Sequence, residues 1–204
     1  MNRKSHELTT KDRIIKATLD IINGEGFQNV TIRKIAAIAG VNVAAVNYHF
    51  GSKDAVINQA LNTITLRIVE AFACLKSDEL GPSVRLESFI RQYSKVTMEY
   101  PDIIRNFISQ SLHNNMVRSE YQEYLRKEGI TLVAGTIAEI RPDESETVHY
   151  LRTLQLLSSL SFPILMGERV AEITGLDLND PDLSDRYIEL LVNNITGGAR
   201  AASG

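Results

Sequence analysis

Apolar residues recur at helical spacing along almost the whole chain. Near the N-terminus Ile14, Ala17, Thr18, Ile21 and Ile22 fall at i, i+3, i+4, i+7 and i+8, one face of a helix. Strict alternation over five or more residues is scarce, and no two-residue turn separates alternating apolar runs. Such a chain can bury its apolar surface only by packing helix on helix, which predicts an all-α fold. Thr9 and Thr10 offer a cap for the first helix, and Gly24 and Gly26 a stop. Further along, Pro82, Pro101, Pro142 and Pro181 each stand where a helix can begin, at the first-turn position that needs no N–H. These marks predict helices over about 83–99, 101–114, 117–139, 143–170 and 181–196, with a loop at 175–180. Pro163 lies inside the fourth of these and is expected to kink or split it. Counted with the N-terminal segments, about nine helices are expected. A length of 204 residues allows one sizeable core or two small helical domains that share a helix.

The region 31–50 is more specific. Thr31 caps a short helix to about Ala39, whose inner face is Ile32, Ile35, Ala36 and Ala39. Gly40-Val41-Asn42 follows: the glycine permits a tight turn and the asparagine caps the next helix, over 43–49, with Val46 and Phe50 turned inward. Two short helices joined in this way form a helix-turn-helix, whose second helix can enter a DNA major groove. Ser52 caps a longer fourth helix that reaches about Leu75. The expected domains are therefore 1–55, a DNA-binding head extended by the linking helix to about 75, and 56–204, a helical regulatory and dimerisation body.

The second short helix suits contact with double-stranded DNA. Val43, Ala44 and Ala45 are small, so the backbone can approach the bases and an apolar group can meet a thymine methyl. Asn47 can bond adenine or a phosphate. Tyr48 and His49 carry polar tips suited to phosphate oxygens, although Tyr48 has a second reading as packing against the fourth helix. Lys53, at the start of that helix, fits a phosphate clamp, and Thr31 and Arg33 sit where the preceding helix crosses the backbone. Asn42 completes the candidate DNA-binding set. The net charge of −3 conceals a split: residues 1–55 hold eight Lys/Arg against five Asp/Glu, whereas the remainder holds fourteen against twenty. A basic head on an acidic body places phosphate contact in the head.

Other functions find little support. Hydrophobic residues at 44% and charged residues at 23% describe a folded globular chain. The lone cysteine, Cys74, allows no intrachain disulfide and no cysteine-rich zinc site. No apolar run approaches the roughly 18–20 residues that span a bilayer, and the polar start, Met1 to Glu7, lacks the apolar core of a signal peptide. A cytoplasmic protein with no membrane partner is expected. There is no G-x-S-x-G elbow, phosphate loop or H-E-x-x-H, so no enzyme, cofactor or metal is expected.

The residues 10–61 resemble the DNA-binding domain of the TetR family of bacterial regulators. The resemblance rests on Arg13-Ile14-Ile15-Lys16-Ala17, Gly26-Phe27, Val30 to Ala36, Ala39-Gly40-Val41 and Tyr48 to Ala55, in the family's order and spacing. Asn47 departs from it, since many relatives carry a phosphate-binding tyrosine there. The resemblance implies that the remaining chain forms a helical domain with a ligand pocket and a dimer interface. It implies a homodimer on a palindromic operator, a repressor released by a small apolar or amphipathic effector. Candidate pocket residues are Phe89, Tyr93, Phe107, His113, Met116 and Tyr121, since methionine and aromatic side chains suit an adaptable apolar site. Candidate interface residues are Leu151 and Leu154 on one helix and Leu183, Tyr187, Leu191 and Ile195 on the last. A helical protein–protein module, or an activator without an inducer, stands as the alternative.

Overall fold

The computed structural model describes residues 8–112 and 120–197, and among them it contains helices and turns and no strand. The chain divides into two compact units, Met1–Thr65 and Leu66–Gly204.

The first unit contains α1 (Thr10–Glu25), α2 (Ile32–Ala39), α3 (Val43–Phe50) and the start of α4 (Lys53–Ala73), which continues into the second. A capping box opens α1: the Asp12 N–H donates to Thr9 Oγ1 at 3.2 Å and the Thr9 N–H donates to Asp12 Oδ2 at 3.1 Å. The helix continues through Gly24 and ends at Gly26, two residues past the first glycine. Ile14, Ala17, Ile21 and Ile22 are buried, as the spacing predicts, and they share the core with Ile35, Ala36, Val46, Val56, Ala60 and Ile64. Burying each large aliphatic side chain contributes about 1.5–3 kcal/mol, so this small core holds three short helices that would not persist alone.

The second unit contains α5 (Pro82–Glu99), α6 (Pro101–Leu112), α7 (Glu120–Tyr124), a π turn (Leu125–Gly129), α8 (Ile130–Ile140), α9 (Glu146–Met166), α10 (Arg169–Thr174) and α11 (Pro181–Thr196). Its core is built on Phe72, Leu86, Phe89, Ile90, Ile103, Val133, Ile137, Leu156 and Ile164. Buried Arg85 braces it: Nη1 donates to the Leu75 carbonyl at 2.8 Å and Nη2 pairs with Glu139. Pro82, Pro101 and Pro181 do open helices. Pro142 does not. It lies in the turn before Ser145, whose carbonyl accepts the first helical bonds from Val148 and His149.

The single helix expected over 143–170 is two. Pro163 stays inside α9 without splitting it. The break comes at Gly167, whose φ of 54° lies in the left-handed region that side-chain-bearing residues avoid. Arg105, from α6, donates to the Ile164 carbonyl at 3.1 Å and so closes the end of α9. Among the described residues no helix is long and apolar enough to cross a membrane.

Candidate nucleic-acid interface

The helix-turn-helix is assembled by local bonds that its own sequence supplies. Thr31 Oγ1 accepts from the Lys34 N–H at 3.2 Å and starts α2. Gly40 ends it with φ 64°, ψ 40°, a left-handed C-cap, while the Val41 N–H returns to the Ala36 carbonyl at 3.0 Å. Asn42 Oδ1 then accepts from the Ala45 N–H at 2.7 Å and starts α3. Ser52 Oγ accepts from the Ala55 N–H at 3.2 Å at the head of α4. Thr31 and Asn42 are thus both exposed and engaged as caps, and the Asn42 amide nitrogen makes no hydrogen bond among the described residues.

The faces of α3 separate cleanly. Val46 is fully buried and Phe50 is half-buried, with Lys11 Nζ 5.8 Å above the Phe50 ring. Val43, Ala44, Asn47 and Tyr48 are exposed and lie at i, i+1, i+4 and i+5, one contiguous outer face. Ala45 is half-buried at its edge and His49 is exposed near its end. Tyr48 is 86% exposed, and its ring meets His49 edge-on at 5.3 Å rather than packing on α4. An exposed tyrosine this large gains nothing from burial, so its ring and hydroxyl stand ready for a partner.

Charge follows the same division. Arg33 and Lys53 are exposed and make no ion pair among the described residues, whereas Lys34 is tied to Glu25. Lys11, on α1, also stands exposed beside the end of α3. Sequence reasoning passed over Lys11, because its approach to Phe50 is a tertiary contact. A small-residue helix N-terminus, polar tips along its outer face and unpaired cations beside it can bind a phosphate backbone and admit a base edge.

In the second unit the candidate pocket residues Phe89, Tyr93, Phe107 and Tyr121 are brought together and buried. Phe89 and Tyr93 lie 5.5 Å apart, Phe107 and Tyr121 5.8 Å. The Tyr93 and Tyr121 hydroxyls are 2.6 Å apart, and burial pushes both phenols above their ordinary pKa. The sequence reading missed Phe72, which touches Phe89 at 4.6 Å and Tyr93 at 6.0 Å, and Tyr124, 5.4 Å from Phe72. Helical periodicity marks Phe72 as inward but not as a neighbour of α5. His113 and Met116 lie outside the described residues.

The candidate interface residues divide. Leu151 and Leu154 are 54% and 62% exposed on α9. On α11, Leu183 and Tyr187 are half-buried, and Leu191 and Ile195 are buried by their own chain, while Leu190 is exposed. No group of three or more His, Cys, Asp or Glu side chains able to hold a metal occurs among the described residues.

Comparison with known proteins agrees with this geometry. Residues 14–60 match the family model described as "Bacterial regulatory proteins, tetR family". The chain is 25% identical over 207 residues to the HTH-type transcriptional regulator RutR of Escherichia coli O157:H7, covering 97% of this chain and 94% of that one. It is 26% identical over 107 residues to the HTH-type transcriptional repressor NicS of Pseudomonas putida, where the match spans only half of each chain. In fold it is similar to a TetR-like transcriptional regulator from Rhodococcus sp. RHA1, with a TM-score of 0.66 at 16% identity over 97% of this chain and 98% of that one. The reader helices, the matched family model and the chain-length likeness converge: residues 14–60 are a TetR-family helix-turn-helix DNA-binding domain, and the chain as a whole is similar to TetR-family transcriptional regulators.

Proposed function

We propose that this protein is a ligand-responsive repressor, acting in the cytoplasm, that binds a palindromic operator as a homodimer and leaves it when a small effector enters the second unit. The observation that carries the reading is the outer face of α3, with Val43, Ala44, Asn47 and Tyr48 exposed beside the unpaired cations Arg33 and Lys53. In this reading Lys53, His49, Thr31 and Arg33 hold phosphates. Val43, Ala44, Ala45 and the amides of Asn42 and Asn47 face base edges, with DNA shape supplying further discrimination.

A dimer has its own support. Leu151, Leu154, Phe162 and Leu165 are all exposed at spacings that place them on one side of α9, and Leu190 is exposed on α11. An apolar stripe of this length is uncommon on a monomer. Two readers about 34–36 Å apart would then meet successive major grooves.

The experiment is fluorescence anisotropy with DNA from upstream of the chain's own coding region. Salt-sensitive binding with a specific preference over scrambled DNA is expected. Equal affinity for both DNAs would overturn the reading. A reporter driven by the same DNA should be silenced by the protein; enhancement would make it an activator.

A further inference from the structure

We propose that the Tyr93–Tyr121 hydroxyl pair is the polar anchor of a neutral effector, one that presents a hydrogen-bond acceptor such as a carbonyl oxygen to the aromatic cluster of the second unit. This rests on the ligand-responsive reading above and adds the chemistry of the ligand.

The argument begins with protons. Two phenols carry two O–H donors. The 2.6 Å bond between Tyr93 and Tyr121 employs one of them, and neither hydroxyl makes another hydrogen bond among the described residues. One O–H is therefore left over at a place where Tyr93 is 2% and Tyr121 5% exposed. A buried donor without an acceptor is costly and rare. A polar pair kept inside an otherwise apolar cluster is explained if an acceptor arrives from outside the chain.

The surroundings state what else that partner must be. Phe72 and Phe89 stand against Tyr93, and Phe107 against Tyr121. They favour a flat apolar body. The environment of both hydroxyls is set by burial and by each other, with no charged side chain among the described residues contributing. A carboxylate or phosphate buried there would find no counter-charge among those residues, which favours a neutral acceptor over an anion. The backbone next to the pair is also irregular. The helix carrying Tyr121 passes into a π turn, and a Cβ at Gly129 would meet the Phe72 ring at 3.1 Å. π turns of this kind recur at functional sites.

The test uses the whole chain labelled with 13Cζ-tyrosine and three probes of one shape: acetophenone, ethylbenzene and benzoate. Acetophenone should shift the Tyr93 and Tyr121 resonances, assigned from the single phenylalanine variants. It should bind about tenfold more tightly than ethylbenzene, the worth of one hydrogen bond to a buried donor, and benzoate should bind more weakly than either. The double variant Tyr93→Phe/Tyr121→Phe should lose the preference for acetophenone while its Tm holds or rises, because the unmatched proton has gone. A purely structural pair would instead lower Tm and leave the preference intact. Equal binding of acetophenone and ethylbenzene, stronger binding of benzoate, or unmoved tyrosine resonances at the solubility limit of acetophenone would each overturn the proposal. Anisotropy on the same samples separates the two readings: loss of specific DNA binding defeats the repressor while the probe preference stands or falls by itself.

Discussion

The hydroxyl of Tyr187 donates to the Ser159 carbonyl at 2.7 Å, and that carbonyl is the one that Pro163 leaves without a helical partner. Residue 163 would ordinarily send its N–H to residue 159, but proline has none. Tyr187, from α11, supplies the missing donor and ties α11 to α9 one turn before Pro163. Tyr187→Phe should therefore cost about 1–2 kcal/mol, the penalty for orphaning a partly buried carbonyl. In a Pro163→Ala background the helix can satisfy Ser159 itself, and the same substitution should cost much less. A double-mutant cycle in urea reads the difference. Equal penalties in both backgrounds would show that Tyr187 acts by packing alone.

Gly40 tests the turn. Its φ of 64° is left-handed, yet a Cβ there would meet nothing closer than Arg13 Nη1 at 3.9 Å. The cost of Gly40→Ala is then backbone strain without a clash, about 1–2 kcal/mol. Gly40→Asn should cost less, since asparagine tolerates this region. Thermal unfolding of the three proteins should rank them Gly, Asn, Ala; equal Tm values would mean that the turn relaxes.

Local chemistry made the head legible in the sequence. Thr9, Thr31, Asn42 and Ser52 cap helices by bonds that reach only three residues ahead, so spacing alone locates α1 to α4 and the outer face of α3. The second unit depends on partners distant in sequence. Pro163 looked like a break because the donor that heals it lies twenty-eight residues past Ser159. Pro142 looked like a helix start, yet the first helical bonds go to Ser145. On α11, a spacing of four joined Leu191 and Ile195 to Tyr187, but neighbouring helices bury those two and leave Leu190 in solvent. Which side of an amphipathic helix meets its own chain is decided by packing that no single helix encodes.

On DNA, Lys53 and Asn47 should behave differently. In the proposed reading Lys53→Ala removes a phosphate contact, so binding should weaken for every sequence and the salt slope should become shallower by about one unit. Asn47→Ala should instead change which operator variants bind best, with a loss of about 1–3 kcal/mol on the preferred site. Anisotropy across a set of operator variants at three salt concentrations separates them. If both substitutions weaken all sequences alike, Asn47 holds phosphate too.

Acid should expose the pair between α4 and α5. Arg67 donates to Glu99 at 2.6 Å and lies 5.4 Å over the Tyr100 ring. That hydrogen bond holds the Glu99 carboxyl below its ordinary pKa. A carboxyl whose folded value is depressed stabilises the fold above its unfolded value, about 4.3, and loses that contribution as pH falls through the lower folded value. The Tm gap between the native protein and Glu99→Gln should be widest at neutral pH and close as acid protonates Glu99. A gap that does not change with pH would mean that Glu99 contributes only shape.

The exposed apolar stripe of α9 bears on self-association. Leu154 is 62% exposed on the single chain, between Leu151 and Phe162 on the same side of the helix. If a second copy covers this stripe, each Leu154 buries apolar surface that Leu154→Glu would replace with a carboxylate. Losing a buried leucine costs about 1.5–3 kcal/mol, and a two-fold interface contains the residue twice. The dimer dissociation constant should then rise on the order of 10²–10⁴-fold, before any cost of burying the charge. Analytical ultracentrifugation across a dilution series reads this directly. Leu190→Glu on α11 should act in the same direction, whereas Ile173→Glu, at a residue 72% exposed on α10, should leave the dimer intact. Should Leu154→Glu sediment like the native protein at every concentration, the stripe is not a dimer interface.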